Sequence, residues 1–176
     1  GKSFAAATLI CTLPGAVLLH DGQLTGRKVK LPVQIKRQPD EEPVLDLEDY
    51  YMRLLRETRD PIYQQGDWYL FEMRPIDPHN HTHQNLLAYG WYERDKDYRL
   101  IVINLTPHAA QGRVNLSAWS WLEGHAWRLY DVTDDMEYER AGGKMTKEGL
   151  TILLDAYESH IFRFEPATAA ESVTRN

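Results

Sequence analysis

The pattern of apolar residues changes near Gly66, and this change limits the fold more than any single motif. Before it, the apolar positions suit helices. Leu47, Tyr50, Tyr51, Leu54 and Leu55 recur at i, i+3, i+4, i+7 and i+8, the stripe of an amphipathic helix. Asp46 is placed to cap that helix, Glu48 and Asp49 suit the positive end of its dipole, and Pro61 limits its far end. Residues 2 to 12, with Phe4, Ala7, Leu9, Ile10 and Cys11 and no breaker, predict a shorter, mostly buried helix that Pro14-Gly15 ends. After Gly66 the chain breaks into short runs rich in β-branched and aromatic residues, separated by polar or glycine-containing turns. The expected strands are Trp68–Met73, Leu86–Glu93, Tyr98–Leu105, Gly112–Leu116, Trp127–Val132, Leu150–Asp155 and Ser159–Glu165, with a hairpin turn at Arg94–Asp97 and another turn at Gly142-Gly143. Such a succession suggests an antiparallel sandwich. Leu100, Val102, Leu129, Ile152, Leu154 and Ile161 are expected in its core.

The first part contains one element that such a short α/β unit cannot satisfy. Ala16–Leu19 is a continuous apolar run, the pattern of a strand buried on both faces. Parallel strands of that kind exist beside other parallel strands covered by helices, and none is offered nearby. Residues 1 to about 65 therefore read as the completing piece of a sheet or barrel whose earlier strands lie outside this chain. The opening Gly1-Lys-Ser-Phe-Ala-Ala-Ala-Thr-Leu-Ile, which resembles the middle of a helix more than a signal peptide, points the same way. Residues 23 to 43 read as a long loop, and residues 167–176 as a flexible tail after Pro166.

Composition excludes several classes. Of the 176 residues 43% are hydrophobic and 26% charged, which suits a globular chain large enough for a sizeable core. No apolar run approaches the ~18 residues of a membrane span, so no membrane partner is expected. A net charge of −6 argues against nucleic acid, and the basic cluster Arg27, Lys28, Lys30, Lys36 and Arg37 reads as a solvated loop. The single Cys11 has no partner for an internal disulfide and reads as a buried structural thiol. Asn80-His-Thr82, Asn104-Leu-Thr106 and Asn115-Leu-Ser117 match glycosylation acceptors, a tripeptide too short to decide anything.

The succession of segments resembles the α-amylase family of glycoside hydrolases. TLPGAVLLHDGQ, Thr12 to Gln23, is similar to the eighth strand region of that family's (β/α)₈ barrel, and LDLEDYYMRLLRET to its last barrel helix. NLLAYGWYERDKDYRLIVINLT is similar to the opening hairpin of the family's C-terminal β-sandwich, which commonly ends in a triplet like Asn104-Leu-Thr106. The agreement covers roughly residues 3 to 165. It implies an α+β fragment: the last βα unit of a (β/α)₈ barrel over residues 1–65, then an antiparallel all-β sandwich over 66–166. One departure is local, since the family often carries an acid in a Gly-x-Glu pattern where this chain has Gly22-Gln23-Leu24.

The resemblance further implies an enzyme acting on α-glucans by a retaining mechanism, which needs a nucleophile and an acid about 5 Å apart across the bond. In the family these acids come from the fourth, fifth and seventh barrel strands, all upstream of this chain. No catalytic residue is then expected here, and no cofactor. His20 and Asp21 would stand at the rim of the barrel as substrate-binding residues, with α-glucan or oligosaccharide and the missing N-terminal barrel portion as partners. A non-enzymatic β-sandwich module that binds carbohydrate or packs against a partner chain is the alternative.

Other chemistry-bearing clusters have plain explanations. His20-Asp21 as a catalytic pair is disfavoured because neighbours on a strand point to opposite faces. His79, His81 and His83 alternate and in an extended segment would offer three imidazoles to zinc or nickel, but no Cys or spaced acid completes the site, and an exposed polar loop is preferred. Trp119 and Trp121 could form a sugar-stacking platform, yet core packing is the expected role. Asp131, Asp134, Asp135 and Glu137 lack the ligand register of a calcium loop and read as a solvated acidic turn. No metal site is expected.

Overall fold

The structure is a computed structural model that describes residues 1–20, 22–29, 37 and 39–167. It has three layers. Helices α1 (Lys2–Thr12), α2 (Leu45–Glu57) and α3 (Ile62–Gln65) form the first. The middle layer is a six-stranded sheet in the order β1 (Asp67–Phe71), β3 (Leu86–Glu93), β4 (Asp97–Asn104), β9 (Ser159–Pro166), β6 (Ala126–Asp131) and β7 (Met136–Ala141). The third is a three-stranded sheet of β2 (Met73–Arg74), β5 (Ala110–Val114) and β8 (Leu150–Leu154). Every strand pairing is antiparallel. A short helix α4 (Gly142–Glu148) follows β7.

The middle sheet is buried on both sides at its centre. β4 directs Leu100 and Val102 into the core between the sheets and Ile101 and Ile103 into the core beneath the helices. The inter-sheet core also holds Leu129, Ile152 and Leu154 as expected, whereas Ile161, equally buried, belongs to the helix side. Trp119 occupies the inter-sheet core, with Phe71, Tyr92, Tyr98 and Phe164 as ring neighbours at 4.8, 5.8, 5.7 and 5.9 Å. Deeply buried aromatic packing of this kind is its role, and not a sugar platform. Trp121 is half-buried and carries the Arg94 guanidinium 4.7 Å from its ring centre and Tyr92 at 5.2 Å.

Most predicted strands form within a residue or two of their expected bounds, and the Arg94–Asp97 hairpin forms with Asp95 in the left-handed region at φ 63°. Four expectations fail. Ala16–Leu19 forms no strand: among the described residues nothing pairs with it, and Leu18 is 87% exposed. Asp46 does not cap α2, whose N-cap position is Val44; Asp46 and Glu48 lie instead in the first turn. β7 was not expected, because half of its six residues are charged, all but the half-buried Tyr138 are exposed, and its apolar alternation is limited to Met136 and Tyr138. Gly142 starts a helix where a turn was expected. A Cβ there would lie 1.7 Å from the Leu122 carbonyl oxygen, so the close approach of α4 to the preceding loop requires glycine. The tail beyond residue 167 lies outside the described residues.

Candidate functional site

The chain leaves α1 through Leu13 and reaches a compact turn that holds the expected rim. His20 is exposed, and Asp21 lies outside the described residues. Backbone bonds Gln23 N to His20 O (3.0 Å), Gly26 N to Gln23 O (3.3 Å) and Arg27 N to Gly22 O (2.9 Å) close the turn. It requires glycine at two places, with φ of +80° at Gly22 and +69° at Gly26. Gln23 fastens it: its Oε1 accepts from His20 N at 3.1 Å, and its Nε2 donates to the Tyr51 hydroxyl of α2 at 2.7 Å. Gln23, at the open middle position of the Gly-x-Glu pattern, is thus a neutral brace between loop and helix, while Leu24, which stands where that pattern has its acid, packs against the helix-side core. An amide can accept from one side and donate to the other, which a carboxylate cannot. A cleft of about 350 Å³ lies beside this brace, lined by Ser3, Gln23, Arg27, Lys28 and Tyr51 among others.

The helices that carry the turn are fixed to the sheet by polar contacts. On α1, Thr8 Oγ1 lies 2.6 Å from the Tyr50 hydroxyl and 2.9 Å from Ser159 Oγ, while Thr12 Oγ1 lies 2.7 Å from the Tyr89 hydroxyl. Trp91 Nε1 donates to the Thr12 carbonyl at 2.7 Å. Burial pushes the Tyr50 and Tyr89 hydroxyls up, against the effect of these hydrogen bonds.

A buried ionic clamp holds the end of α2. The Glu57 side chain is 0% exposed. Its Oε1 accepts from Arg99 Nε of β4 at 2.7 Å and from the Tyr63 hydroxyl of α3 at 3.0 Å. Its Oε2 accepts from Arg163 Nε of β9 at 2.7 Å. Arg99 also donates to Asp60 at 2.8 Å and pairs with Asp97. Burial works against the charged form of Arg99, but Glu57 and Asp97 outweigh it and raise its pKa. Tyr63 is pushed well above its usual range, by burial first and then by Glu57. With both carboxylate oxygens paired, the cost of burying these charges is largely offset, whereas loss of one partner would leave the other stranded.

This clamp was not anticipated from the sequence. Its signal was present: Glu57 stands three residues after Leu54 on the apolar stripe of α2, and Arg99 shares a strand face with Ile101 and Ile103.

The remaining clusters sort differently from one another. His79, His81 and His83 do not bring ligand atoms together; Thr82–Asn85 is a 3-10 turn, so the alternation is lost, and the His81 and His83 rings are 6.5 Å apart. Asp131, read as part of a solvated turn, is fully buried and organises that turn, with Asp135 in the left-handed region at φ 59°. His160 of β9 is its ion-pair partner. Burial works against a charged His160, but Asp131, Asp134 and Glu158 outweigh it and raise its pKa. Among the described residues no helix is long and apolar enough to cross a membrane. The Cys11 thiol is buried and pushed up by that burial.

No protein-family profile matches the chain, and no curated protein sequence matches it. Solved structures do. The maltogenic α-amylase AmyB from Thermotoga neapolitana superposes with a TM-score of 0.67 at 16% identity, over 93% of this chain and 36% of that one. The α-amylase GTA from Geobacillus thermoleovorans, complexed with acarbose, gives 0.68 at 15% identity over 93% of this chain and 33% of its own. An Anoxybacillus α-amylase gives 0.67 at 17% over 95% and 33%. The chain spans about a third of the length of these structures. What is shared is a fold, α+β with mostly antiparallel sheets, found in a C-terminal portion of α-amylase-type enzymes.

Proposed function

We propose that this chain is the C-terminal portion of an α-amylase-like glycoside hydrolase or transglycosylase that acts on α-glucans by a retaining mechanism. Residues 1–65 would supply the last βα unit of the (β/α)₈ barrel, 66–166 the β-sandwich, and 167–176 a tail. The observation that carries this reading is the superposition of helices and sandwich together, over 93% of the chain, on α-amylase structures at 16% identity. Fold persists where sequence has diverged because the layers, and not individual residues, define it.

On this reading the Glu57 clamp and the Thr8 and Thr12 contacts hold the barrel's last helices rigidly against the sandwich. The Ala16–Leu19 run would gain its ladder from preceding strands, and His20 and Asp21 would reach the substrate rim. The nucleophile, the acid/base and the stabilising acid would lie upstream, held across one bond as retention requires. Structures of AmyP hold maltotriose or maltose; an α-linked oligosaccharide is the substrate class proposed here. The alternative, a non-enzymatic carbohydrate-binding or packing module, draws on the closed inter-sheet core around Trp119.

The test is turnover of starch and maltooligosaccharides, followed by reducing ends and chain lengths. The pure chain is expected to give no turnover above a no-protein control, because binding groups at a rim cannot replace the missing carboxyl groups. The complete polypeptide that contains it is expected to be active. Turnover by the pure chain that Asp21→Asn abolishes would overturn the reading, as would a complete polypeptide without activity on any α-glucan.

A further inference from the structure

We propose that the free edge of β8 takes up an extended peptide strand bearing an acidic side chain, which lies in the cleft between β8 and β7. β8, Leu150-Thr-Ile-Leu-Leu154, contains no charge, proline or glycine and stands last in the small sheet. β5 pairs with one of its edges, and among the described residues no strand pairs with the other. An edge of this kind offers unpaired N–H and C=O groups to any other strand unless charge, proline, shortness or a covering segment blunts it. β7 is blunted by Glu137, Glu139 and Arg140, and β2 by its length of two residues. β8 has no such protection, and Leu153 on its outer face is 64% exposed.

The free edge opens onto a cleft of about 180 Å³. Leu150–Leu153 all line it, and because successive residues of a strand face opposite sides, four in a row are reached together only along an edge. Tyr138 and Arg140 of β7 form the facing wall. They pair with Leu129 and Trp127 of β6, whose side chains point into the inter-sheet core, so both stand on the same inward face of β7, two residues apart. Strands pair about 4.7–4.9 Å apart and sheets stack about 10 Å apart. One strand added to β8 therefore lies over that face and closes the cleft.

Charge and spacing specify the occupant. In a chain of net charge −6, no carboxylate lines this cleft. Arg140 is exposed, with its guanidinium 5.5 Å from the Tyr138 ring centre and its Nη1 donating to the Glu139 carbonyl at 2.8 Å. Among the described residues no acidic side chain forms an ion pair with it. An added strand with an apolar residue at one position and Asp or Glu two residues on meets Tyr138 with the first and Arg140 with the second, since alternate residues share a face. A second copy of β8 would complete the edge but bring no acid to Arg140. The surface involves none of residues 1–65, so this inference stands independently of the α-glucan reading.

The test is fluorescence anisotropy with a labelled peptide, Ser-Thr-Val-Thr-Glu-Thr-Ser, titrated with the chain. Saturable binding is expected, weakened about tenfold or more when lysine replaces the glutamate or proline the central threonine. ¹⁵N–¹H spectra should show the shifts concentrated in residues 150–153 and Arg140. Arg140→Gln, at an exposed position, should abolish the preference for glutamate over lysine while leaving the melting temperature unchanged. Thr151→Asp, which puts a charge on the edge opposite Arg113 of β5, should weaken the peptide about tenfold. No binding, equal binding of the glutamate and lysine peptides, or shifts centred away from β8 would each overturn the proposal. So would sedimentation showing that the chain pairs with itself through this edge, in a dimer that Thr151→Asp abolishes and the peptide does not dissociate.

Discussion

Ala16-Val-Leu-Leu19 and Leu100-Ile-Val-Ile103 are much alike as sequence, continuous apolar runs with no polar alternation. The second is the centre of β4, covered by the inter-sheet core on one face and by the helices on the other. The first forms no strand, and Val17 and Leu18 stand in solvent while Leu13 and Leu19 on either side pack on the helix-side core. A continuous apolar run states that both faces want cover; it does not say whether the chain supplies it. β4 has β3 and β9 to satisfy its backbone on both sides, whereas a lone strand leaves its N–H and C=O groups to water. On α2, by contrast, Leu54 is buried and Leu55 half-covered.

The severest way to break the contrast is to loosen the helices from β4. Glu57→Ala is expected to cost about 3–5 kcal/mol in urea unfolding, because Arg99 and Arg163 would be left facing a buried space with no carboxylate between them. A loss below about 1 kcal/mol would mean that the helix layer is held by its apolar contacts alone and that the clamp is incidental. Next comes the strand itself. Ile101→Ala removes a side chain with 0% exposure from the helix-side face of β4, and a cost of about 3 kcal/mol is expected from lost transfer energy and the cavity left behind. A change under about 1 kcal/mol would show that this face is not packed as a core.

How much of this was legible follows from the range of each interaction. Strands such as Leu86–Glu93 could be bounded closely, because side-chain type and turn residues act locally. β7 escaped because Glu137, Glu139 and Arg140 are exposed on an edge strand, and its apolar pattern is no longer than Met136 and Tyr138, the latter paired with Leu129 of β6. The Glu57 clamp left a trace, since Glu57 lies on the apolar stripe of α2 and Arg99 on an apolar strand face, but its pairing, like that of Asp131 with His160, joins charges from separate elements and is fixed only when the topology brings them together. His20 was legible as the end of an apolar run, but Gln23 carries no signal of its own, since it fills the open position beside Leu24, where the family pattern has its acid. Its bracing of the loop on Tyr51 depends on where α2 passes.

The smallest expected effect separates the two runs most sharply. Leu18→Ala deletes an apolar side chain that is already 87% in water, so neither transfer energy nor a cavity is at stake, and the change in urea stability of this chain should lie within about 0.5 kcal/mol. The same substitution has a different expectation in the complete polypeptide. If preceding strands flank Ala16–Leu19 there, Leu18 becomes a two-face-buried position like those of β4, and its truncation should cost about 2 kcal/mol or more. Unfolding of both polypeptides, with and without the substitution, gives the comparison directly, provided the denaturant slope is unchanged within each pair. A penalty that is small in this chain and large in the complete polypeptide supports the segment as a barrel strand awaiting neighbours. Equal small penalties in both would make it a surface loop, and the barrel-completing role of residues 1–65 would then have to be abandoned even if the sandwich assignment stood.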